Sequence, residues 1–497
     1  MKDKRQRPSD EGRVKSDIKA ELSKRAVDVS RLAYCYECGT CTAACPVARI
    51  LPEHYNPRVF FRKLSFDLEG ALSSDELWLC AVCDRCRKRC PHGIKLPELL
   101  MALRRLAVER EKPADVASRL EKTVALLGTA VPFPVSYAWL NLRPSESGQA
   151  RDKFDGTVIK ALRSSLKDSR GNMPSPIPVR HDERVAVAGS GPAGLTAAWE
   201  LRRMGYPVTV FEAYSEPGGM LATGIPGYRL PKDVVNAEME HLRGLGVGIE
   251  SGTALGRDVN ISDLLERDGY SAVFLALGTP RGRGLQVEGE HLDGVVQALD
   301  LLRRSNAGGR PDLGKKVVVI GGGNVAMDAA RTALDLGAGQ VDVVCLESMG
   351  EMPSHEWEVR EASAAGIRMN VSWGPKRILG EGGRVSGVEF MRCVSVFDGN
   401  MRFNPSFDND ATMTLDCDTV VLAIGQAPDI DFLARDIDVM DGRAIAVDPT
   451  TMETSRPGVF AVGDAVLGPA SVAEAVVTGK LAAISMDRVL SASRGTK

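Results

Sequence analysis

The chain has 497 residues, 44% hydrophobic and 26% charged, with 63 basic and 65 acidic side chains and a formal charge of −2. That length suits about three domains, and the even charge balance removes any electrostatic case for a nucleic-acid partner. Eight of the 11 cysteines fall between Cys35 and Cys90, a clustering that points to metal ligation in a reducing, cytoplasmic compartment rather than to a disulfide scaffold.

In chain order, residues 1–30 read as a flexible arm with a short helix. They are polar, lean basic and lack the apolar core of a signal peptide. Residues 31–112 then hold two cysteine runs, Cys35-x2-Cys38-x2-Cys41-x3-Cys45-Pro46 and Cys80-x2-Cys83-x2-Cys86-x3-Cys90-Pro91. This is the spacing of bacterial ferredoxins with two [4Fe–4S] clusters. Three closely spaced cysteines wrap three corners of a cubane, and the fourth turns away to the other cluster. The expected sets are Cys35, Cys38, Cys41 and Cys90 for one cluster, and Cys80, Cys83, Cys86 and Cys45 for the other. Zinc fits poorly, because its structural sites take paired arms and four ligands in all. Arg85, Arg87, Lys88 and Arg89 crowd the second run, either as solvated side chains or as a dock for an acidic partner.

Residues 113–180 read as a connector ending in Pro174, Pro176 and Pro178. Its stretch 123–142 is uncharged and long enough to span a bilayer. Gly128, Pro132 and Pro134 interrupt it, so a buried or subunit-facing segment is expected instead.

From Arg184 onward strand, turn and helix alternate, as in α/β domains with a parallel sheet. The strand Val185–Ala188 leads into Gly189-Ser-Gly191-Pro192-Ala193-Gly194 and a helix. The next strand, Val208–Phe211, closes on Glu212, where an acid would bond a ribose hydroxyl. A second unit follows: strand Val317–Ile320, then Gly321-Gly322-Gly323-Asn324-Val325-Ala326, then strand Val341–Cys345 and Glu347. Two complete units imply two dinucleotides, each with its pyrophosphate on a helix N-terminus.

Two resemblances sharpen this reading. Cys-Tyr-Glu-Cys-Gly-Thr-Cys at 35–41, Tyr-Asn-Pro-Arg at 55–58 and Trp-Leu-Cys at 78–80 resemble the two-cluster iron–sulfur protein of heterodisulfide reductases. Residues 184–490 resemble the small subunit of glutamate synthase and related flavin-dependent pyridine-nucleotide oxidoreductases. That likeness rests on Glu-Pro-Gly-Gly-Met-Leu at 216–221, Gly-Ile-Pro-Gly-Tyr-Arg-Leu-Pro at 224–231, the run 321–332, Ala-Ile-Gly-Gln at 423–426, and Thr-Ser-Arg-Pro-Gly-Val-Phe-Ala-Val-Gly-Asp at 454–464. It implies FAD at the first glycine loop, with Gly219, Leu221, Arg229, Gly278 and Gly463 beside it. Asp464 would bond the ribityl chain, and the helix start Ala470, Ser471, Val472 would face the flavin. The nicotinamide cofactor would lie at the second loop, near Gly425.

The resemblances also imply two Rossmann-like domains, with the nicotinamide domain (296–414) inserted in the FAD domain (181–295 and 415–497), preceded by a mainly helical, ferredoxin-like domain. Family members that use NADPH carry arginines where Leu346 and Glu347 stand. A carboxylate repels a 2′-phosphate, so NADH is expected over NADPH.

Hydride transfer through a flavin needs no acid–base side chain, and none is assigned. The expected function is an electron-transfer oxidoreductase linking NADH, through FAD and two [4Fe–4S] clusters, to an iron–sulfur or heterodisulfide-reductase-like partner in a hetero-oligomer. The alternatives are the electron-input subunit of a glutamate-synthase-type complex, and an assembly subunit whose cofactors are structural.

Overall fold

The computed structural model describes residues 35, 37–80, 83–110, 115, 118–119, 175–440 and 443–494. The N-terminal arm and the apolar stretch 123–142 lie outside the described residues. Among the described residues no helix is long and apolar enough to cross a membrane.

The cysteine region is helical and internally repeated. Helix Thr40–Ala44 starts after Gly39, whose φ is 80°, and stops at extended Cys45. Helix Arg85–Arg89 starts after Asp84, whose φ is 64°, and stops at extended Cys90. Glycine adopts this left-handed conformation freely, and a short Asp tolerates it. Each half therefore makes a tight loop, one helical turn, and an exit that aims its last cysteine away from the loop.

The motif at 55–58 has a local reason. Tyr55 is buried, Asn56 accepts from the Val59 amide at 3.3 Å, and Pro57 opens helix Pro57–Phe66. This is an N-cap followed by a proline that needs no donor. Helix Leu96–Arg110 packs Leu99, Leu103 and Leu106 inward, against a core that includes Tyr55, Phe60, Leu64 and Trp78.

The first α/β domain holds a five-stranded parallel sheet in the order 459–461, 270–275, 184–188, 208–212, 248–251. Helix Pro192–Met204 packs on helix Val472–Arg494. The same apolar core runs on into the cysteine domain, joining Ala473 and Val476 to Val47 and Trp78.

The second sheet, also parallel, has the order 295–297, 419–422, 316–320, 340–345, 368–371. This corrects the inserted boundaries drawn from sequence. Strand Thr419–Leu422 pairs with both Val295–Gln297 and Lys316–Ile320, so it belongs to the second domain and not to the first. Its four residues are all buried, as a central parallel strand requires.

The sheet's two faces are covered differently. Helices cover one, with Ala326, Ala330 and Val359 in the core. On the other face lie three antiparallel strands, 373–381, 384–397 and 403–416, through Ile378, Val388 and Phe390. Strand–helix alternation gave no sign of this antiparallel layer.

Candidate functional site

The three glycines of the first loop occupy different surroundings. A Cβ on Gly189, whose φ is +104°, would stand 2.4 Å from the Ala276 carbonyl oxygen. One on Gly194 would stand 2.0 Å from the Gly189 oxygen, where helix meets strand. One on Gly191 would meet nothing within 4 Å. Turn, open face and close packing are the three roles that a pyrophosphate-binding loop assigns to its glycines.

The second loop repeats the scheme. A Cβ on Gly321 would stand 2.3 Å from the Ala423 oxygen, and Gly323 is open. Ala326 takes the third place and is fully buried. A Cβ on Gly322 would lie 2.9 Å from Oε2 of Glu347. The carboxylate therefore hangs over the loop, at the edge where a ribose would lie.

Glu212 is buried, and Oε2 accepts from the Ser190 amide at 3.0 Å and from the Ser190 hydroxyl. Its Oε1 accepts from the Tyr214 amide at 2.9 Å. Ser190 Oγ in turn accepts from the Gly218 amide at 2.7 Å. Sequence reasoning missed Ser190, although it sits inside the glycine motif.

One cavity is bordered by both loops, by Glu212, Gly219, Gly278, Glu347 and Gly425, and by Gly463, Asp464, Ala470, Ser471 and Val472. Burial pushes the Asp464 carboxyl up to about 6, against the Ala470 amide and the Thr279 hydroxyl, which lower it. The helix start is a capping box: Ser471 Oγ donates to Glu474 at 2.8 Å and accepts from the Glu474 amide at 3.3 Å. Helix Met220–Thr223 buries Leu221.

Arg229, assigned to FAD by resemblance, has other partners here. It is buried, and donates to Asp328 and, at 2.7 Å, to Glu358, both on the second domain. Tyr228 donates to Asp328 at 3.1 Å. Two carboxylates on the facing domain claim this guanidinium, so it joins the domains.

The same cavity reaches Cys45 and Cys83. A second, smaller cavity is lined by Cys45, Cys80, Cys83 and Cys86, with Tyr55, Phe61 and Leu100 around them. The structure thus brings the fourth cysteine of the first run to the three of the second. Cys41 in turn feels Cys35 and Cys38 as charged neighbours.

Burial pushes the Cys45 thiol up to about 12 and Cys83 to about 11, and raises Cys86 further, with the neighbouring sulfurs adding to each. Such thiols ionise only when a cation meets them. Among the described residues no group of three or more His, Cys, Asp and Glu is placed to hold a metal ion. The four cysteines that border the small cavity are the all-thiol donor set that a cubane takes. Cys345, Cys393 and Cys417 are buried apart from these runs.

Of the basic residues of the second run, Arg85, Lys88 and Arg89 are exposed and Arg87 is half-buried. Arg87 lies 3.0 Å from Asp84 and 3.3 Å from Glu356. Lys95 reaches Glu356 at 2.9 Å, and Arg85 pairs with Glu474 at the start of helix Val472–Arg494. Lys88 and Arg89 border the large cavity. Glu356, Glu358 and Glu474 carried no sequence signal, because their partners are distant in the chain.

Two glycine loops in full strand–loop–helix context, facing one cavity with a pair of cysteine runs at its rim, define a dinucleotide-dependent iron–sulfur oxidoreductase. Residues 183–479 match the family described as pyridine nucleotide-disulphide oxidoreductase, and residues 31–94 match a 4Fe-4S dicluster domain. The chain belongs to that oxidoreductase family, as a flavoprotein of the glutamate synthase small-subunit type carrying an N-terminal dicluster domain.

It is 37% identical over 435 residues to the NADP(+)-dependent formate dehydrogenase subunit beta of Moorella thermoacetica, spanning 82% of this chain and 60% of that one. It is 31% identical over 440 residues to the NADPH-Fe(3+) oxidoreductase subunit beta of Geobacter sulfurreducens, spanning 82% and 63%. The chain therefore spans less than two thirds of the length of these two relatives. The glutamate synthase [NADPH] small chain of Escherichia coli is 34% identical over 354 residues, spanning 67% of this chain and 75% of that one. Among solved structures, FprA of Mycobacterium tuberculosis with NADPH shares the fold. Its TM-score is 0.54 at 20% identity, over 64% of this chain and 86% of that one.

Proposed function

We propose that the chain is an electron-transfer subunit that links NADH to a partner iron–sulfur enzyme, of the heterodisulfide-reductase type, through FAD and two [4Fe–4S] clusters. The cavity shared by both glycine loops and Cys45 and Cys83 carries this reading. A bound flavin supplies the exchange between two-electron hydride chemistry and the single-electron steps that cubanes perform. Gly191 leaves the room and the helix start for the FAD pyrophosphate, and Glu212 takes the ribose.

Gly323 and Glu347 do the same for the nicotinamide cofactor. Cys45, Cys80, Cys83 and Cys86 hold the cluster nearer the flavin, and Cys35, Cys38, Cys41 and Cys90 hold the one toward solvent, where Cys38 is exposed. The order from nicotinamide to partner then follows the chain's own layout. Anaerobic reduction of a viologen dye by NADH tests the activity, and an assembly subunit would show none. Anaerobic co-purification identifies the partner.

The relatives above are named for NADP(+) or NADPH, and the choice of NADH rests on Glu347 alone. Steady-state kinetics with both cofactors decide it: a wild-type preference for NADPH removes the claim. The glutamate synthase likeness supports a second reading, an electron-input subunit for an amidotransferase, and co-purification of such a subunit would favour it.

A further inference from the structure

Arg104 is a buried cation with no carboxylate partner among the described residues. It lies on helix Leu96–Arg110 and is 0% exposed. Its Nε donates to the Leu77 carbonyl at 3.0 Å, and Nη2 to the carbonyls of Trp78 at 3.3 Å and Cys80 at 2.5 Å. Its Nη1 has no partner, and no acid among the described residues pairs with it. The guanidinium lies 5.7 Å from the Trp78 ring centre. A lone ion in a dry core is costly, so a counter-charge belongs nearby. The electrostatic neighbours of Arg104 are the Cys80 sulfur and the Tyr55 hydroxyl. Tyr55 is itself buried and hydrogen-bonded to Cys80, and it lines the small cavity with the four cysteines.

We propose that Arg104 and Tyr55 set the reduction potential of the cluster held by Cys45, Cys80, Cys83 and Cys86, raising it above what burial alone would give. This rests on the cluster assignment above. A four-thiolate cubane gains a further negative charge on reduction, which an apolar site opposes. A fixed cation and a hydrogen bond to a ligating sulfur both favour that reduced form. The three carbonyls hold the guanidinium in place, and no carboxylate among the described residues compensates its charge.

The test is an EPR-monitored redox titration of the full chain with both clusters loaded, in wild type, R104M, R104K and Y55F. Iron and acid-labile sulfide content, measured first, tests the assignment separately: wild type without two cubanes removes the assignment itself. R104M shifts the Cys80-side cluster toward the oxidised form by about tenfold in its equilibrium, about 59 mV for one electron. R104K keeps the charge and stays near wild type. Y55F shifts in the same direction by less, and the other cluster does not move. An unshifted R104M overturns the proposal, as does an R104K shifted as far as R104M. If R104M does not load the cluster, Y55F carries the test, and an unshifted Y55F overturns it.

Discussion

Gly191 and Gly194 are three residues apart and should fail differently when changed to alanine. A Cβ at Gly194 would be 2.0 Å from backbone oxygen, while one at Gly191 meets nothing. G194A should therefore lose about 1–3 kcal/mol of stability along with its flavin. G191A should melt like wild type without flavin and lose the cofactor only. Thermal melts and the flavin-to-protein absorbance ratio separate the two. Glu347→Gln should raise kcat/KM for NADPH relative to NADH by about tenfold, because it removes a charge facing the 2′-position, worth about 1.5 kcal/mol. An unchanged ratio in competition assays would remove Glu347 from cofactor choice. These residues were legible because each motif is contiguous. The partners of Arg104 and Arg229 were not: Arg104 bonds residues 24 to 27 positions away, and Arg229 bonds residues 99 and 129 away. Nothing in a linear motif records such pairs.

The elements join through charge pairs of unequal worth. Arg229 is 11% exposed at its side chain and meets Asp328 and Glu358, at 14% and 5%. Removing it strands two buried acids, so R229A should cost about 3–5 kcal/mol. Glu356, 45% exposed, meets half-buried Lys95 and Arg87, so E356A should cost under about 1 kcal/mol per pair. Chemical denaturation of both variants checks this ranking.

His355 precedes helix Glu356–Ala364. Burial, with Arg229, Arg87 and Lys88 adding to it, holds its imidazole down at about 4. It is neutral when folded, whereas the unfolded chain binds a proton near 6.5. Its stability contribution is thus complete above about 6.5 and is lost as pH falls toward about 4. His355→Gln should flatten that part of the stability profile. The strand–helix–strand units were visible in sequence because burial imposes continuous apolar runs. The domain boundary was misplaced because Thr419–Leu422 returns to its sheet after three antiparallel strands, a long-range pairing that no local pattern reports.

At the scale of the molecule, the cysteine domain shares a core with the first α/β domain, and its second run sits at the rim of the dinucleotide cavity. C45S, although it lies in the first run, should lose the cluster of Cys80, Cys83 and Cys86 and keep the other. Iron content falling by half with one EPR signal retained would bear this out, and loss of the Cys35-side signal would contradict it. The repeat in the sequence foretold two clusters. Only the fold shows that Cys45 and Cys83 border the cavity of the glycine loops.

The central claim is that nicotinamide electrons reach the clusters through the flavin. Its most direct test is anaerobic addition of NADH to wild type and to flavin-free G191A, with the reduced clusters read by EPR. Cluster signals are expected in wild type and none in the variant until FAD is restored in excess. Clusters reduced equally well without flavin, or not reduced at all in wild type, would contradict it.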